Sequence, residues 1–239
     1  MMADARKFLV SGATSGIGLA ITQRLLREGH QVVALGRNFT QFESQCSGAL
    51  TKIPIDLSQL DELPKQLNEI GKTHPDIDGL ICCAGRGQFG SLEEFSFAQI
   101  NALMSLNFTS QAYLTRAFLP GLKRQKRGNL IYIGSEAALS GGRRGAIYCA
   151  SKFALRGMAQ ALREECARSH LHICIINPGM VKTAFFDELN FEPGEEETNY
   201  VEAEDVAEAV NLVLNARAGT VIDEINLSPL KKVVQFKKR

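Results

Sequence analysis

Short apolar runs and longer stretches of helical periodicity alternate along this chain from one end to the other. Seven runs are rich in β-branched residues: Lys7 to Ser11, Gln31 to Leu35, Thr51 to Ile55, Gly79 to Cys83, Asn129 to Gly134, His172 to Asn177 and Val221 to Leu227. Most are apolar at successive rather than alternate positions, as in Leu80-Ile81-Cys82-Cys83 and Ile173-Cys174-Ile175-Ile176. A strand of that kind is covered on both faces, which is the habit of parallel sheets. Between the runs, Ile17 to Glu28 sets Ile17, Ala20, Ile21, Leu25 and Leu26 on one stripe and stops at Gly29. Further helices are predicted near 59–71, 98–124, 148–168 and 203–215. Strict β-α alternation without a linker, repeat or low-complexity segment predicts one α/β domain over 1–239, a doubly wound parallel sheet with right-handed crossovers.

One long stretch lacks periodicity. Met180 to Tyr200 holds Phe185, Phe186, Phe191 and six acids; it reads either as a mobile lid over a site or as a solvated connection with a hydrophobic anchor. Composition then narrows the partners. The 239 residues are 45% hydrophobic and 22% charged, with 27 Lys+Arg against 26 Asp+Glu and a net charge of +1. That balance lacks the basic excess of a nucleic-acid surface. No apolar run reaches membrane-spanning length and the first residues lack a secretory pattern, so a cytoplasmic location is expected, with neither nucleic acid nor membrane as partner. The cysteines at 46, 82, 83, 149, 166 and 174 show no C-x-x-C pairing, so reduced thiols and no metal site are expected. The tail Lys231 to Arg239 carries five basic residues, read as a solvated terminus or a contact for an acidic partner.

The chemistry concentrates at strand ends. After the first strand comes Ser11-Gly12-Ala13-Thr14-Ser15-Gly16-Ile17-Gly18, opening the first helix. Glycines there permit a tight turn and close backbone approach to a pyrophosphate, and the helix N-terminus favours the anion. At the end of the second strand an NAD-binding protein would offer a carboxylate to the ribose 2′-hydroxyl, whereas this chain reads Gly36-Arg37-Asn38. Arg37 suits a 2′-phosphate, so NADP(H) is the expected cofactor. Tyr148 and Lys152 stand four apart at the start of a helix and project from one face. The ammonium can favour the phenolate and bring the tyrosine nearer its working range. Ser135 ends the fifth strand, where its hydroxyl can orient a carbonyl oxygen. Asn107 lies amid Leu103, Leu106 and Phe108 and reads alone as a satisfied core amide.

Taken together these residues resemble the short-chain dehydrogenase/reductase family over nearly the entire chain, from Lys7 to about Pro229. The resemblance implies a Rossmann fold with a seven-stranded sheet, and carries the family's glycine motif to Gly12, Gly16 and Gly18 and its catalytic set to Asn107, Ser135, Tyr148 and Lys152. Tyr148 would be the general acid/base, Ser135 would polarise the substrate oxygen, Lys152 would hold the nicotinamide ribose and tune Tyr148, and Asn107 would support a relay water. Cofactor contacts are implied at Thr14, Ser15 and Ile17 in the loop and at Arg37, Asn38, Asp56 and Leu57. Others are implied at Ala84 and Gly85, and at Pro178, Gly179, Val181 and Thr183 around the nicotinamide. Two departures stand out: Ser11 replaces Thr, and Cys82-Cys83 replaces Asn-Asn, which puts the sheet-tying contacts of that amide in question because a thiol bonds weakly.

The expected activity is reversible reduction of a carbonyl to an alcohol with NADP(H), on a small-molecule substrate that includes acyl-carrier-bound ketones as an option. The alternative is an NADP(H)-binding sensor or scaffold without turnover. Candidate substrate walls are Arg86 to Phe89, Leu139 to Ala146 and Met180 to Phe191, with Arg143 and Arg144 either meeting a substrate carboxylate or lying at a solvated or subunit surface. A homodimer or homotetramer through the two long helices is a further expectation of the resemblance.

Overall fold

The computed structural model describes residues 5–40 and 49–237. Cys46, Lys238 and Arg239 lie outside the described residues. The first half runs β1 (Lys7–Ser11), α1 (Gly16–Arg27), β2 (Gln31–Gly36), β3 (Leu50–Pro54), α2 (Leu63–Thr73) and β4 (Gly79–Cys82). Next come α3 (Phe97–Met104), α4 (Ser110–Gln125), β5 (Gly128–Ile133), α5 (Ala146–Cys166) and β6 (Leu171–Pro178). The last part is β7 (Phe191–Pro193), α6 (Ala203–Leu214), β8 (Glu224–Leu227) and β9 (Val234–Phe236).

Seven strands pair in parallel in the order β3-β2-β1-β4-β5-β6-β8, a Rossmann-type α/β fold as expected. The continuous apolar runs explain why both sheet faces are covered. In β1, Phe8 and Val10 join Ile21, Val206 and Val210 on one side, while Leu9 joins Leu67, Leu114 and Leu155 on the other, and none of the three β1 side chains is exposed. Each such burial is worth roughly 2 kcal/mol. Helices α1 and α6 close the first face; α2, α4 and α5 close the second. The strand order reverses between β1 and β4, and the C-terminal ends of both strands open into the crevice formed there.

One expectation needs correction, and two segments carry structure that the sequence did not show. The single helix expected over 98–124 is interrupted by a π-helical turn at Ser105–Thr109, in which the Ser110 N–H reaches back to the Ser105 carbonyl. The extra residue swings the following turn and carries Asn107 into the interior, where it is fully buried. The segment 180–200 has the hydrophobic anchor expected of it, with Phe186 buried, and more regular structure than its missing periodicity implies. Its ends are bridged by Val181 and Val201, and its middle forms β7, which pairs antiparallel with β9 of the tail. Three-residue strands, one containing Pro193, are too short to carry a periodic signal. The described part of the tail is solvent-exposed, as one reading had it, and is also tied down: Lys231, Lys232 and Lys237 pair with Glu196, Glu136 and Glu192. Among the described cysteines, Cys82, Cys149, Cys166 and Cys174 are buried and none is in a disulfide. No described helix is long and apolar enough to cross a membrane.

Candidate active site

The loop from β1 into α1 is shaped by what a side chain would strike. Gly12 holds φ +65°, and a Cβ there would lie 2.9 Å from the Ala84 Cα. A Cβ on Gly18 would lie 2.1 Å from the Gly12 carbonyl oxygen, so helix and loop can meet only at glycine. Gly16, at φ +48°, backs onto Thr183, 3.3 Å from its Cβ. Ser15 is the extended N-cap of α1, makes no side-chain cap bond, and no acid lies in the first turn. The first-turn N–H groups are therefore left to an anion, with the helix dipole adding to the attraction.

Beyond β2, Arg37 and Asn38 are exposed, and the Asn38 amide oxygen accepts from the Thr40 N–H at 2.8 Å. The Asp56 carboxylate is held below its ordinary range by the Ser58 hydroxyl and N–H, at 2.7 and 2.9 Å, with Arg37 adding to the effect against partial burial. Leu57 is buried beside it, and Gly36 is open because a Cβ there would lie 2.5 Å from the Thr14 methyl. The glycine loop, the β2 end, Ala84, Gly85 and the Pro178-to-Thr183 segment thus border one crevice, as the sequence predicts. The cradle fits a dinucleotide: its glycines keep clear the space a pyrophosphate needs, and the first cation past β2 is Arg37. Gly36 was missed in the sequence, where only its position before Arg37 marked it.

The turn after β4 is tied down by residues that sequence reading did not single out as a pair. The fully buried Ser11 hydroxyl accepts from the N–H groups of Cys83 and Ala84 at 3.0 and 3.1 Å, and donates to Gln111 Oε1 at 3.3 Å. The Gln111 amide nitrogen donates in turn to the Ala84 carbonyl at 3.0 Å. The crevice floor is therefore tied from β1 and α4. Cys83 itself contributes no such bond, and burial pushes its thiol up to about 12, with Lys152 opposing.

Tyr148, Ser135 and Lys152 meet at the C-terminal ends of β5 and β6. The Tyr148 phenol is buried, with the Ser135 hydroxyl near enough to favour its ionised form. Ser135 also caps the turn after β5, accepting from the Ala137 N–H at 3.2 Å. One turn beyond Tyr148, the Lys152 ammonium donates to the Ile133 carbonyl at 3.0 Å and lies 5.9 Å from the Tyr148 ring centroid. The expected downward pull on the phenol is reversed. Burial pushes Tyr148 up to about 12, opposed by Ser135 and reinforced by Cys149 and Glu136. Burial likewise brings Lys152 down to about 8, against a small opposing effect of Cys83. In a dry site the cost of each charged form outweighs the neighbours.

Asn107 is satisfied on both sides. Its Oδ1 accepts from the Arg86 N–H at 2.9 Å, and its Nδ2 donates to the Arg86 carbonyl at 3.0 Å and to the Ser151 hydroxyl at 3.1 Å. It clamps the loop after β4 to α5, one residue before Lys152.

The three expected walls do converge. Phe89 lies 5.0 Å from the Tyr148 ring and 5.0 Å from Phe191, and Phe185 lies 6.1 Å from Tyr148. Phe186 backs both Phe185 and Phe191. Gly87 makes this possible, since a Cβ there would lie 2.4 Å from the tip of Phe185. Arg144, at φ +60°, turns outward and pairs with Glu94 at 3.0 Å. Glu136, next to Ser135, pairs with Lys232 of the tail at 2.6 Å.

Comparison with known proteins agrees with this geometry. The family model for short chain dehydrogenase matches residues 6–193. An uncharacterised oxidoreductase of Staphylococcus aureus is 28% identical over 226 residues, covering 93% of this chain and 96% of the relative. A metagenomic short-chain oxidoreductase solved in complex with NADP is 27% identical, with a TM-score of 0.80 over 95% of this chain and 98% of that one. Serine dehydrogenase of Escherichia coli is 26% identical, with a TM-score of 0.78 over 92% and 96% of the two chains. Glycine loop, sheet order and family match converge: this chain belongs to the short-chain dehydrogenase/reductase family of oxidoreductases.

Proposed function

We propose that the protein is an NADPH-dependent oxidoreductase that reduces a carbonyl to an alcohol, reversibly, with Tyr148 as general acid/base. The observation that carries this reading is the buried Tyr148 phenol, under the influence of Ser135 and one helical turn from Lys152, at the strand ends that face the glycine cradle. The cofactor supplies the hydride to the carbonyl carbon. The chain's residues manage the oxygen. Ser135 donates to it and orients it. With its pKa near 12 the Tyr148 phenol is protonated at neutral pH, so it can give its proton to the oxygen as the alcohol forms. The buried Lys152 ammonium stabilises the phenolate left behind, and Asn107 holds the Arg86 loop and Ser151 that frame it.

NADP(H) rather than NAD(H) is supported by Arg37 at the β2 end, with no carboxylate before or after it, and by the NADP complex of the metagenomic relative. Gly12, Thr14, Ser15, Gly16, Ile17 and Gly18 would hold the pyrophosphate; Arg37, Asn38, Asp56 and Leu57 the adenosine side; Ala84, Gly85, Pro178, Gly179, Val181 and Thr183 the nicotinamide side. Self-association is supported by Phe153 on α5, 43% exposed, and Tyr113 on α4, 36% exposed; light scattering reads the resulting mass.

NADPH oxidation over ketones, aldehydes and keto esters, with Tyr148→Phe run beside wild type, tests the reading. Turnover that the phenylalanine variant loses is expected. Tight NADPH binding without any turnover would refute the reductase assignment and favour a sensor.

A further inference from the structure

Tyr148 is walled by rings. Phe89 meets Tyr148 at a 47° tilt and Phe191 edge-on at 81°; Phe185 sits 58° to Tyr148, and Phe186 closes the back. These rings come from three separate segments, the loop after β4, the turn after β6 and β7, so no single helix stripe or core layer accounts for them. They are held from outside. The tail strand β9 pairs with β7, and Lys237 donates to the Phe186 carbonyl at 2.6 Å, which fixes the turn that carries Phe185 and Phe186.

The charges near this wall point the same way. Glu136 follows Ser135 directly, and its carboxylate would lie 3.5 Å from a Cβ on Gly179, at the nicotinamide side of the crevice. A negative group there opposes a second anion at the reacting oxygen. Several neighbouring cations are already engaged: Arg144 with Glu94, Lys182 with the Tyr200 hydroxyl and ring, Lys232 with Glu136.

We propose that this site takes a neutral carbonyl compound whose carbonyl is borne by a flat apolar group of ring size, an aryl or cyclic ketone or aldehyde, and discriminates against keto acids. The ring lies among Phe89, Phe185 and Phe191 while its carbonyl oxygen meets Ser135 and Tyr148. The inference rests on the reductase reading for the role of that oxygen, and on the ring wall for the rest. Offset and edge-to-face contacts with two or three phenylalanines favour a planar guest over a polyol, which would strip its hydroxyls of water without finding partners.

The test measures binding separately from turnover. Affinities of acetophenone and of 4-acetylbenzoate are measured by calorimetry on the full chain with NADP+ present, a pairing with no hydride to transfer, and both are then assayed as substrates with NADPH. The neutral ketone is expected to bind at least about tenfold more tightly than the carboxylate, and Phe89→Ala to cost it about tenfold. Gly87→Ala, which drives Phe185 off its seat, should weaken the same ligand while NADP+ affinity holds. Equal or tighter binding of the carboxylate, as Arg86 or Arg143 capturing it would produce, overturns the proposal, and so does failure of both probes to bind. Selective binding of the neutral ring without turnover upholds the ring site and refutes the reductase reading.

Discussion

The tie between β1 and the turn after β4 rests on Ser11, and this can be tested by removing one oxygen. In Ser11→Ala the N–H groups of Cys83 and Ala84, at 3.0 and 3.1 Å from that oxygen, lose their acceptor, and Gln111 Oε1 loses a donor. All of this happens at a position with no solvent exposure. An orphaned buried polar group costs about 1–3 kcal/mol, so two N–H groups with partial relaxation cost about 3 kcal/mol. That is a large share of the roughly 5–15 kcal/mol by which domains are stable. Urea unfolding followed by far-UV circular dichroism suits a chain without tryptophan. The midpoint should fall at constant slope, and Ser11→Thr should restore it. Gln111→Leu should cost a similar amount, and the double variant less than the sum by about 1 kcal/mol or more, because both changes dismantle one network. Loss below about 0.5 kcal/mol in Ser11→Ala, or strict additivity with Gln111→Leu, would refute the assignment of the tie to this pair.

Three further outcomes follow from the same geometry. Lys152 has a folded pKa of about 8 against an ordinary 10.5, so the unfolded chain holds the extra proton between those values. Wild-type stability measured relative to Lys152→Met should therefore rise with pH from 8 to 10.5, by up to about 3 kcal/mol, and a flat difference would place the ammonium in water. With the Tyr148 phenol at about 12 and Lys152 at about 8, NADPH-driven reduction should hold steady below about pH 7.5 and fall above about pH 8 as the ammonium is lost, while alcohol oxidation, which needs the phenolate, should climb nearly tenfold per pH unit up to about pH 8; a plateau in oxidation near neutral pH would show a phenol lowered rather than raised. Gly36→Ala should weaken NADPH binding through its clash with the Thr14 methyl, 2.5 Å away, and Thr14→Ser should recover it; persistence of the defect in the double variant would locate its cause elsewhere.

The sheet was legible because its inner strands are apolar at successive positions and its helices keep one stripe, so Phe8-Leu9-Val10 announced a strand buried on both faces. The glycine loop and the Tyr148–Lys152 pair were legible because both are local: a strand-to-helix turn and a spacing of four on a helix. What escaped was tertiary. Ser11 and Gln111 are a hundred residues apart, and nothing at either position marks the other. The π turn at Ser105–Thr109 interrupts a stretch whose apolar spacing reads as one helix. Strands β7 and β9 have three residues each, and nothing in the sequence pairs the exposed lysines of the tail with Glu136, Glu192 and Glu196. The direction of the Tyr148 shift escaped for the same reason. Spacing places an ammonium nearby, but the depth of burial decides which influence is larger.

That depth also alters what Lys152 does in the proposed reaction. In the resting site burial raises the tyrosine and lowers the lysine, so each is pushed toward its neutral form and the proton stays on the phenol. Once the phenol has given its proton to the substrate oxygen, a negative charge appears on a ring whose centroid lies 5.9 Å from the Lys152 nitrogen. At an effective dielectric constant of about 20, the attraction between unit charges at that separation is about 3 kcal/mol. The attraction exists only after charge has moved, so it favours the state that follows proton transfer over the one that precedes it, and such a difference is what lowers a barrier. The Ile133 carbonyl holds the ammonium at its place beforehand, which spares the site any rearrangement at the moment of transfer. Lys152 is thus positioned for the phenolate the reaction creates, and the dry surroundings that make both resting charges costly are also what give the pairing its strength.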